Sequence, residues 1–554
     1  MEKEVKLLLV LLGIILIASA GLFYLTGQTI SNPLGALDLP ISERCKELNF
    51  GENDFYIDPK GICAPCNDAN IGNLTKPWCT LRRALNFSEP THFKGGERLY
   101  LREGIHRFDG LDFYLPEGAI NGRADRKTLI SGYPKERVAV YGSDRVQGWE
   151  KQTLPDGSPL WIYDWRAHLA EKRPRYLAKK HPLGIGQPSS FSHNFTQAPQ
   201  AVFIDAFYPR TTQPIILPQA NETKTMAHRD GQDGFEYLNL TVTLPYYTPS
   251  SKANITLPMY TSPQTMPIGY SYYEIDTSSQ NYGKLFIRPP VEFKDLDPDI
   301  VPIEIPFTYL GFLSINISHD VHIANLSYRY SNGLSDSGFD GGFILNGDRI
   351  LIDNMDISYH AATAMLGGGN SNIIRNSIIS YNGVSGSGRI GTNITYEGNT
   401  FIGNSWRPFY PAWYSGGMKL IDAKPTYNFT LRNNLFKDNG IGLWIDYTGD
   451  GPDLLNVSSK GVKTWQNYLG AGHLIENNMF ISDSLALETS PGSVKNPIIV
   501  RGNYFSGLYN NPNRVGIAIQ STPFVNITNN VFVNLDQGIL TLGPVTPTWE
   551  PEYR

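Results

Sequence analysis

Basic runs are missing from this sequence. Its 47 Lys and Arg against 52 Asp and Glu leave a formal net charge of -5. The basic residues are scattered, so nucleic acid is not an expected partner. There is no Gly-x-Ser-x-Gly elbow and no phosphate-binding loop, which removes those two routes to a catalytic site. His319, His322 and His360 have no partners at metal-ligand spacing and read as surface or turn residues. Helical periodicity is also lacking. Short apolar runs of β type and 53 glycines exclude a helical solenoid. Cysteine is scarce: four in 554 residues.

The one long apolar run stands at the start. Leu7 to Leu25 is an unbroken stretch of nineteen apolar or small residues, preceded by Lys3 and Lys6. That is close to a membrane-spanning length and long for a signal-peptide core. Residues 1–26 are therefore expected to be an uncleaved anchor with the bulk of the chain outside the cell, with cleavage at Ala18-Ser19-Ala20 as the alternative. Residues 27–49 read as a linker. Cys45, Cys63, Cys66 and Cys79 lie together just after it. In an exported chain they read as two disulfides, with three pairings open. A four-cysteine zinc site is the rival, but a second close pair is absent. Twelve Asn-x-Ser/Thr sequons permit glycosylation at the surface.

From residue 306 to 545 the sequence repeats. The unit is apolar-x-Asn-(Asn/Ser)-x-(Phe/Ile), then a turn. Its terminal apolar anchors are Tyr328, Ile357, Ile379, Phe401, Phe436, Phe480, Phe505 and Phe532, spaced 29, 22, 22, 35, 44, 25 and 27 residues apart. Asn at a fixed site suits a sharp turn, because its short amide tolerates left-handed backbone and stacks on its neighbours. Two rungs carry long insertions. One contains Trp406, Arg407, Trp413 and Tyr414; the other runs from Tyr447 to Leu469. Their aromatics either stack against sugar rings or pack the insertions onto the body. Residues 150–305 lose the rhythm, gain prolines and longer strands, and read as an inserted antiparallel β-domain of sandwich type, or as expanded loops. Residues 546–554 are a tail.

Residues 50–149 carry Asp54-Phe55-Tyr56-Ile57-Asp58-Pro59, a short helix capped at Thr80, Gly95-Gly96-Glu97-Arg98-Leu99-Tyr100-Leu101-Arg102-Glu103-Gly104 and Ile130-Ser131-Gly132-Tyr133. That order resembles the first coils of pectate-lyase-like right-handed parallel β-helix proteins. The resemblance implies an all-β fold, a right-handed parallel β-helix, to which the inserted domain and the N-terminal transmembrane helix read above are added.

Gly440-Ile441-Gly442-Leu443-Trp444-Ile445-Asp446 and Leu485-Ala486-Leu487-Glu488 share one pattern. Read as strands, both point alternate residues inward and carry a carboxylate outward. Arg432-Asn433-Asn434-Leu435-Phe436 and Glu476-Asn477-Asn478-Met479-Phe480 precede them. If these are equivalent rungs, Asp446 and Glu488 stack about 4.8 Å apart. A retaining glycosidase needs its carboxyls about 5–5.5 Å apart. With Ser415-Gly416-Gly417-Met418-Lys419-Leu420, the Gly-Leu-Trp-Ile-Asp stretch and Leu487-Glu488-Thr489-Ser490 resemble glycoside hydrolase family 120, whose members are β-xylosidase-type enzymes. Val140-Tyr141-Gly142-Ser143-Asp144-Arg145-Val146-Gln147-Gly148-Trp149 resembles that family just before its sandwich. The resemblance implies Asp446 as nucleophile and Glu488 as acid/base. Where that family has a His-Glu pair ahead of the Lys motif, this sequence has Trp413-Tyr414, so the sugar stays open.

The expected reading is a cell-surface glycosidase acting on oligo- or polysaccharide. Lys419, Trp444, Trp413, Tyr414, Trp406 and Arg407 are the expected substrate-binding residues, in a cleft open to solvent. No metal or cofactor is expected; Asp450 and Asp453, beside Gly449 and Gly451, offer calcium ligands but form a weak pattern. The alternatives are a polysaccharide lyase using Lys419, Arg389 or Arg407, and a non-catalytic adhesin or stalk.

Overall fold

The structure is a computed structural model. It describes residue 45 and, from 54 to 542, all but residues 86–92, 108–113, 116–117, 119, 178–198, 200, 206–213, 219–239, 244–251, 256–261, 275, 309–313, 333–340, 390, 407–415, 422–426, 440, 447, 449–469, 489, 491, 508–514 and 521. The apolar run at 7–25 falls outside that description, as do Arg407, Trp413, Tyr414, Asp450 and Asp453. Among the described residues no helix is long and apolar enough to cross a membrane.

Three parallel sheets of 11, 10 and 10 strands build the body. A typical rung runs Leu351–Asp353, Asp356–Ser358, Thr363–Gly367, and then re-enters the first sheet at Ile373–Arg375. This is a parallel β-helix. Most strands of the first two sheets hold three residues, and in many the middle one turns inward: Ile352, Ile374, Tyr396, Leu431 and Ile475 are all buried in the first sheet.

Two successive positions make the first corner, and they do different jobs. Asn325, Asn354, Asn376, Asn433, Asn477 and Asn529 have φ between 53° and 58°, and Gly398 and Gly502 take the same place at 65°. Left-handed backbone is open to Gly and, at small cost, to Asn. The next residue forms a ladder. Asn399, Asn434, Asn478 and Asn503 each donate an Nδ2 hydrogen to the Oδ1 of the next, the last to Asn530, at 3.1, 3.0, 3.0 and 3.0 Å. A buried amide is tolerated only when its donors and acceptors are used, and stacking lets each rung satisfy its neighbour.

The repeat anchors meet in register along the second sheet, from Tyr328 through Ile357, Ile379, Phe401, Phe436, Phe480 and Phe505 to Phe532. Phe401, Phe436, Phe480, Phe505 and Phe532 stack with centroids 4.9, 4.9, 4.7 and 5.2 Å apart. This column is part of one continuous core that begins at Ile57 and Trp78. At that end Cys45 bonds Cys63 and Cys66 bonds Cys79. Of the three pairings and the zinc alternative, the structure adopts this pairing. Thr80 accepts from the backbone N–H of Arg83 and caps the short helix Leu81–Leu85.

Between Tyr141 and Phe307 the rungs stop. Two four-stranded antiparallel sheets form there. One joins Ser143–Arg145, Ile303–Pro306, Ala201–Ile204 and Ile215–Pro218; the other joins Glu150–Thr153, Pro159–Asp164, Lys284–Arg288 and Tyr270–Tyr273. They share a core including Trp161, Val202, Leu285 and Ile303. Two of the strands, Ser143–Arg145 and Ile303–Pro306, lie outside or across the 150–305 bounds. This unit packs at the corner between the second and third sheets of the helix. Phe203 joins a cluster with Tyr141, Tyr330 and Tyr359, and Asp205 accepts from the hydroxyls of Tyr141 and Tyr330 at 3.0 and 2.6 Å. Glu304 receives Arg107 on both oxygens and the Ser143 hydroxyl.

Candidate active site

Strand Leu443–Asp446 lies in the third sheet between Gly416–Ile421 and Leu485–Glu488. It is shorter than the seven-residue reading. Gly442 sits at its entry because the stacked phenylalanines leave no room: a Cβ there would lie 2.9 Å from the Phe480 ring and 3.0 Å from Phe436 Cβ. Leu443 and Ile445 turn into the core, with no exposed surface. Alternation therefore sends Trp444 and Asp446 outward. Register aligns Lys419 with Trp444 and Ala486, and Ile421 with Asp446, Glu488 and Gln520. Two adjacent outward columns result.

The side chains link these columns. Lys419 Nζ lies 3.1 Å from Asp446 Oδ2 and 3.4 Å from the centre of the Trp444 ring. A cation over an indole face is attracted by the ring quadrupole. The Trp444 Nε1–H donates to Glu488 Oε2 at 3.0 Å. One cation and one indole therefore tie both carboxylates together. Ile441 and Ala486 complete the packing on Trp444.

Burial here departs from the sequence expectation of an open cleft with exposed walls. Asp446 is 6% exposed, Lys419 1% and Trp444 2%; Glu488 is half-buried. Trp444 is thus a buried brace rather than an open wall. Burial pushes the Asp446 carboxyl up to about 7; Lys419 opposes that rise and the Glu488 carboxylate adds to it. Burial also lowers Lys419, against the pull of Asp446 and Glu488. Lys419 and Asp446 thus strain toward neutrality from both sides, for the same reason: charge is costly out of water. Oδ1 of Asp446 is buried with no hydrogen-bond partner among the described residues.

The turn behind the carboxylates is braced by hydroxyls that sequence reasoning passed over. Ser490 Oγ donates to the Glu488 carbonyl at 2.8 Å and accepts the Thr448 N–H at 3.2 Å. His473 is fully buried, and burial pushes it down to about 3, so it is neutral. Its Nδ1 accepts the Phe429 N–H, which leaves Nε2–H to donate to Thr448 Oγ1 at 2.7 Å.

The other expected residues are placed elsewhere. Trp406 lies at the corner of the second and third sheets; its indole donates to the Tyr381 carbonyl at 2.8 Å and it packs beside the Tyr141–Tyr330–Tyr359 cluster. The carboxylates stand at the opposite edge of the third sheet, so Trp406 packs the fold there. Arg407, Trp413 and Tyr414 lie outside the described residues. His360, read from the sequence as a surface or turn residue, is fully buried and bonds the Ser331 hydroxyl and the Tyr328 carbonyl. Among the described residues no cluster of three or more His, Cys, Asp or Glu could hold a metal ion.

The family described as "Right handed beta helix region" matches residues 313–459, and the chain is a right-handed parallel β-helix. A search of curated proteins finds no match. Among solved structures, the complex of XylC with xylose is similar over 86% of this chain and 69% of its own, at 14% identity and TM-score 0.47. A structure described as a glycoside hydrolase is similar over 90% of this chain and 98% of its own, at 11% identity and TM-score 0.37. The lacto-N-biosidase of Eubacterium ramulus is similar over 88% of this chain and 68% of its own, at 10% identity and TM-score 0.36.

Proposed function

We propose that this chain is a retaining glycosidase acting on oligo- or polysaccharide outside the cell, held there by the apolar segment 7–25. The observation that carries the reading is the register pair Asp446 and Glu488, one rung apart in a single outward column. Neighbouring strands lie about 4.8 Å apart, which suits a nucleophile and an acid/base on one glycosidic bond. The likeness of the Gly-Leu-Trp-Ile-Asp stretch to family 120 supports the assignment of roles. Two disulfides suit an oxidising compartment.

Asp446 attacks the anomeric carbon while Glu488 gives its proton to the departing oxygen, so the C–O bond breaks and a glycosyl ester forms on Asp446. Glu488 then takes a proton from water, and the hydroxide oxygen displaces Asp446. Lys419 holds Asp446 ionised against its burial. Trp444 anchors Glu488 through one oxygen and leaves the other for the proton transfer.

The test is to assay the full chain on a panel of aryl glycosides and oligosaccharides, and to read the anomer of the first product by NMR. A retained configuration is expected. Inversion removes the covalent step, and an unsaturated product identifies an eliminating lyase instead.

A further inference from the structure

The column does not end at Glu488. Ile445-Asp446-Tyr447-Thr448 and Leu487-Glu488-Thr489-Ser490 are followed one rung later by Ile519-Gln520-Ser521-Thr522. All three share one pattern: an inward apolar residue, an outward polar side chain, any residue, then a hydroxyl. Register pairs Gln520 directly with Glu488. The hydroxyl brace repeats as well. Thr522 Oγ1 donates to the Gln520 carbonyl at 2.8 Å and accepts the Ser490 N–H at 3.2 Å, as Ser490 does for Glu488 and Thr448. The fold therefore holds Gln520 by the same device as the acid/base.

The side chain is placed at a cost. Gln520 is 3% exposed, and its Oε1 is buried with no hydrogen-bond partner among the described residues. An unpaired buried amide destabilises a fold, and each such group calls for an explanation. Asp446 Oδ1, at the other end of the column, is in the same condition. Two buried oxygens without donors thus flank Glu488, one on each side, across about two strand spacings or ~10 Å. A polyhydroxyl ligand laid along the column supplies O–H donors to both.

We propose that Gln520 binds a hydroxyl of the departing sugar, so that the rung after Glu488 is a leaving-group subsite. This rests on the retaining reading with Asp446 as nucleophile. The order along the column decides the side. The glycosyl group that becomes bonded to Asp446 sits toward Asp446, the breaking bond lies at Glu488, and Gln520 stands beyond it, where the leaving group goes. The substrate class is then an oligosaccharide recognised on both sides of the scissile bond, rather than a glycoside of an apolar alcohol.

The experiment compares kcat/KM of the full chain on a disaccharide and on the nitrophenyl glycoside of the same glycosyl group. The nitrophenyl group offers no hydroxyl to Gln520. Replacing Gln520 by Met, which keeps the bulk and removes the hydrogen bond, and by Ala, should lower the disaccharide-to-nitrophenyl ratio about tenfold, the effect of one lost hydrogen bond. Equal losses on both substrates assign Gln520 to packing and overturn the subsite. An unchanged ratio overturns it too. A wild-type chain inactive on both substrates, though folded by circular dichroism, fails the glycosidase reading itself and takes this assignment with it.

Discussion

Two outward columns of the same β-helix carry charge in opposite ways. On the first sheet, register sets Asp353, Arg375, Glu397, Arg432, Glu476 and Arg501 one above another. The signs alternate, and Arg375–Asp353, Arg432–Glu397 and Arg501–Glu476 close at 2.6, 2.9 and 2.7 Å. On the third sheet the corresponding column sets Asp446 directly beside Glu488, with Gln520 next. The first arrangement is what a solvated sheet face does for its own stability: each charge finds a partner one rung away, half in water. The second sets like charges together and buries one of them, which no folding requirement explains. Its cation, Lys419, comes from the neighbouring column. Charge alone therefore does not mark a site in a β-helix; the sequence of signs along a column does.

The contrast can be broken most severely at Asp446. Asp446→Asn should abolish turnover on every substrate while the chain stays folded, because no other described group occupies that register position on the preceding side of Glu488. Unchanged activity in this variant would remove the site from consideration. Glu488→Gln should cost about 10²–10⁴-fold on substrates with poor leaving groups and far less on an activated aryl glycoside. A loss independent of leaving-group pKa would contradict its role as acid.

Lys419→Met separates the two columns by stability. It leaves Asp446 buried without its cation, which should cost about 3–5 kcal/mol at pH 8 by denaturant unfolding. It should also shift the acidic limb of the rate profile upward. Arg432→Ala, in the alternating column, should cost under about 1 kcal/mol and leave kcat unaltered. Similar costs for the two variants would erase the difference between the two columns.

The pH dependence follows from Asp446. A nucleophile must be ionised, and burial has moved this carboxyl up to about 7. The rate should therefore fall as pH drops through about 7, well above the limb near 4 of an ordinary carboxylate. A basic limb at that position, with activity rising in acid, would exchange the roles of the two residues. Stability runs the opposite way. The folded chain binds the Asp446 proton more tightly than the unfolded chain, whose carboxyl titrates near 3.8. That contribution is complete below about 4 and is lost as pH rises toward 7. Asp446→Asn should flatten the thermal-unfolding profile across this window by on the order of 1–3 kcal/mol.

Much of this was legible in the residues, because a β-helix writes its geometry in the sequence. Each rung returns to the same place, so the anchors from Tyr328 to Phe532 recur and align one per rung whatever the insertions between them. Side chains alternate across a strand, so the inward Ile445 and Leu487 imply the outward Asp446 and Glu488 in phase. The apolar-polar-x-hydroxyl pattern at 445–448, 487–490 and 519–522 was equally readable. Gln520 escaped notice because an amide carries no charge to draw attention.

What the sequence by itself determined is the local repeat: where strands begin, which face is core, and that Asn or Gly makes the corner, since these depend on periodicity and backbone sterics within one rung. Only the tertiary structure decided the state of the site. Whether a carboxylate is open or buried depends on groups from other rungs and columns, and no periodicity encodes their meeting. Lys419 reaches diagonally to Asp446, Trp444 closes over Lys419 and reaches Glu488, and the water these groups exclude is what raises Asp446. The same holds for Trp406, whose aromatic character suited a sugar platform until its position against Tyr381 assigned it to packing. Residue type states what a side chain can do; the neighbours brought to it by folding, and the solvent they remove, select which of these it does.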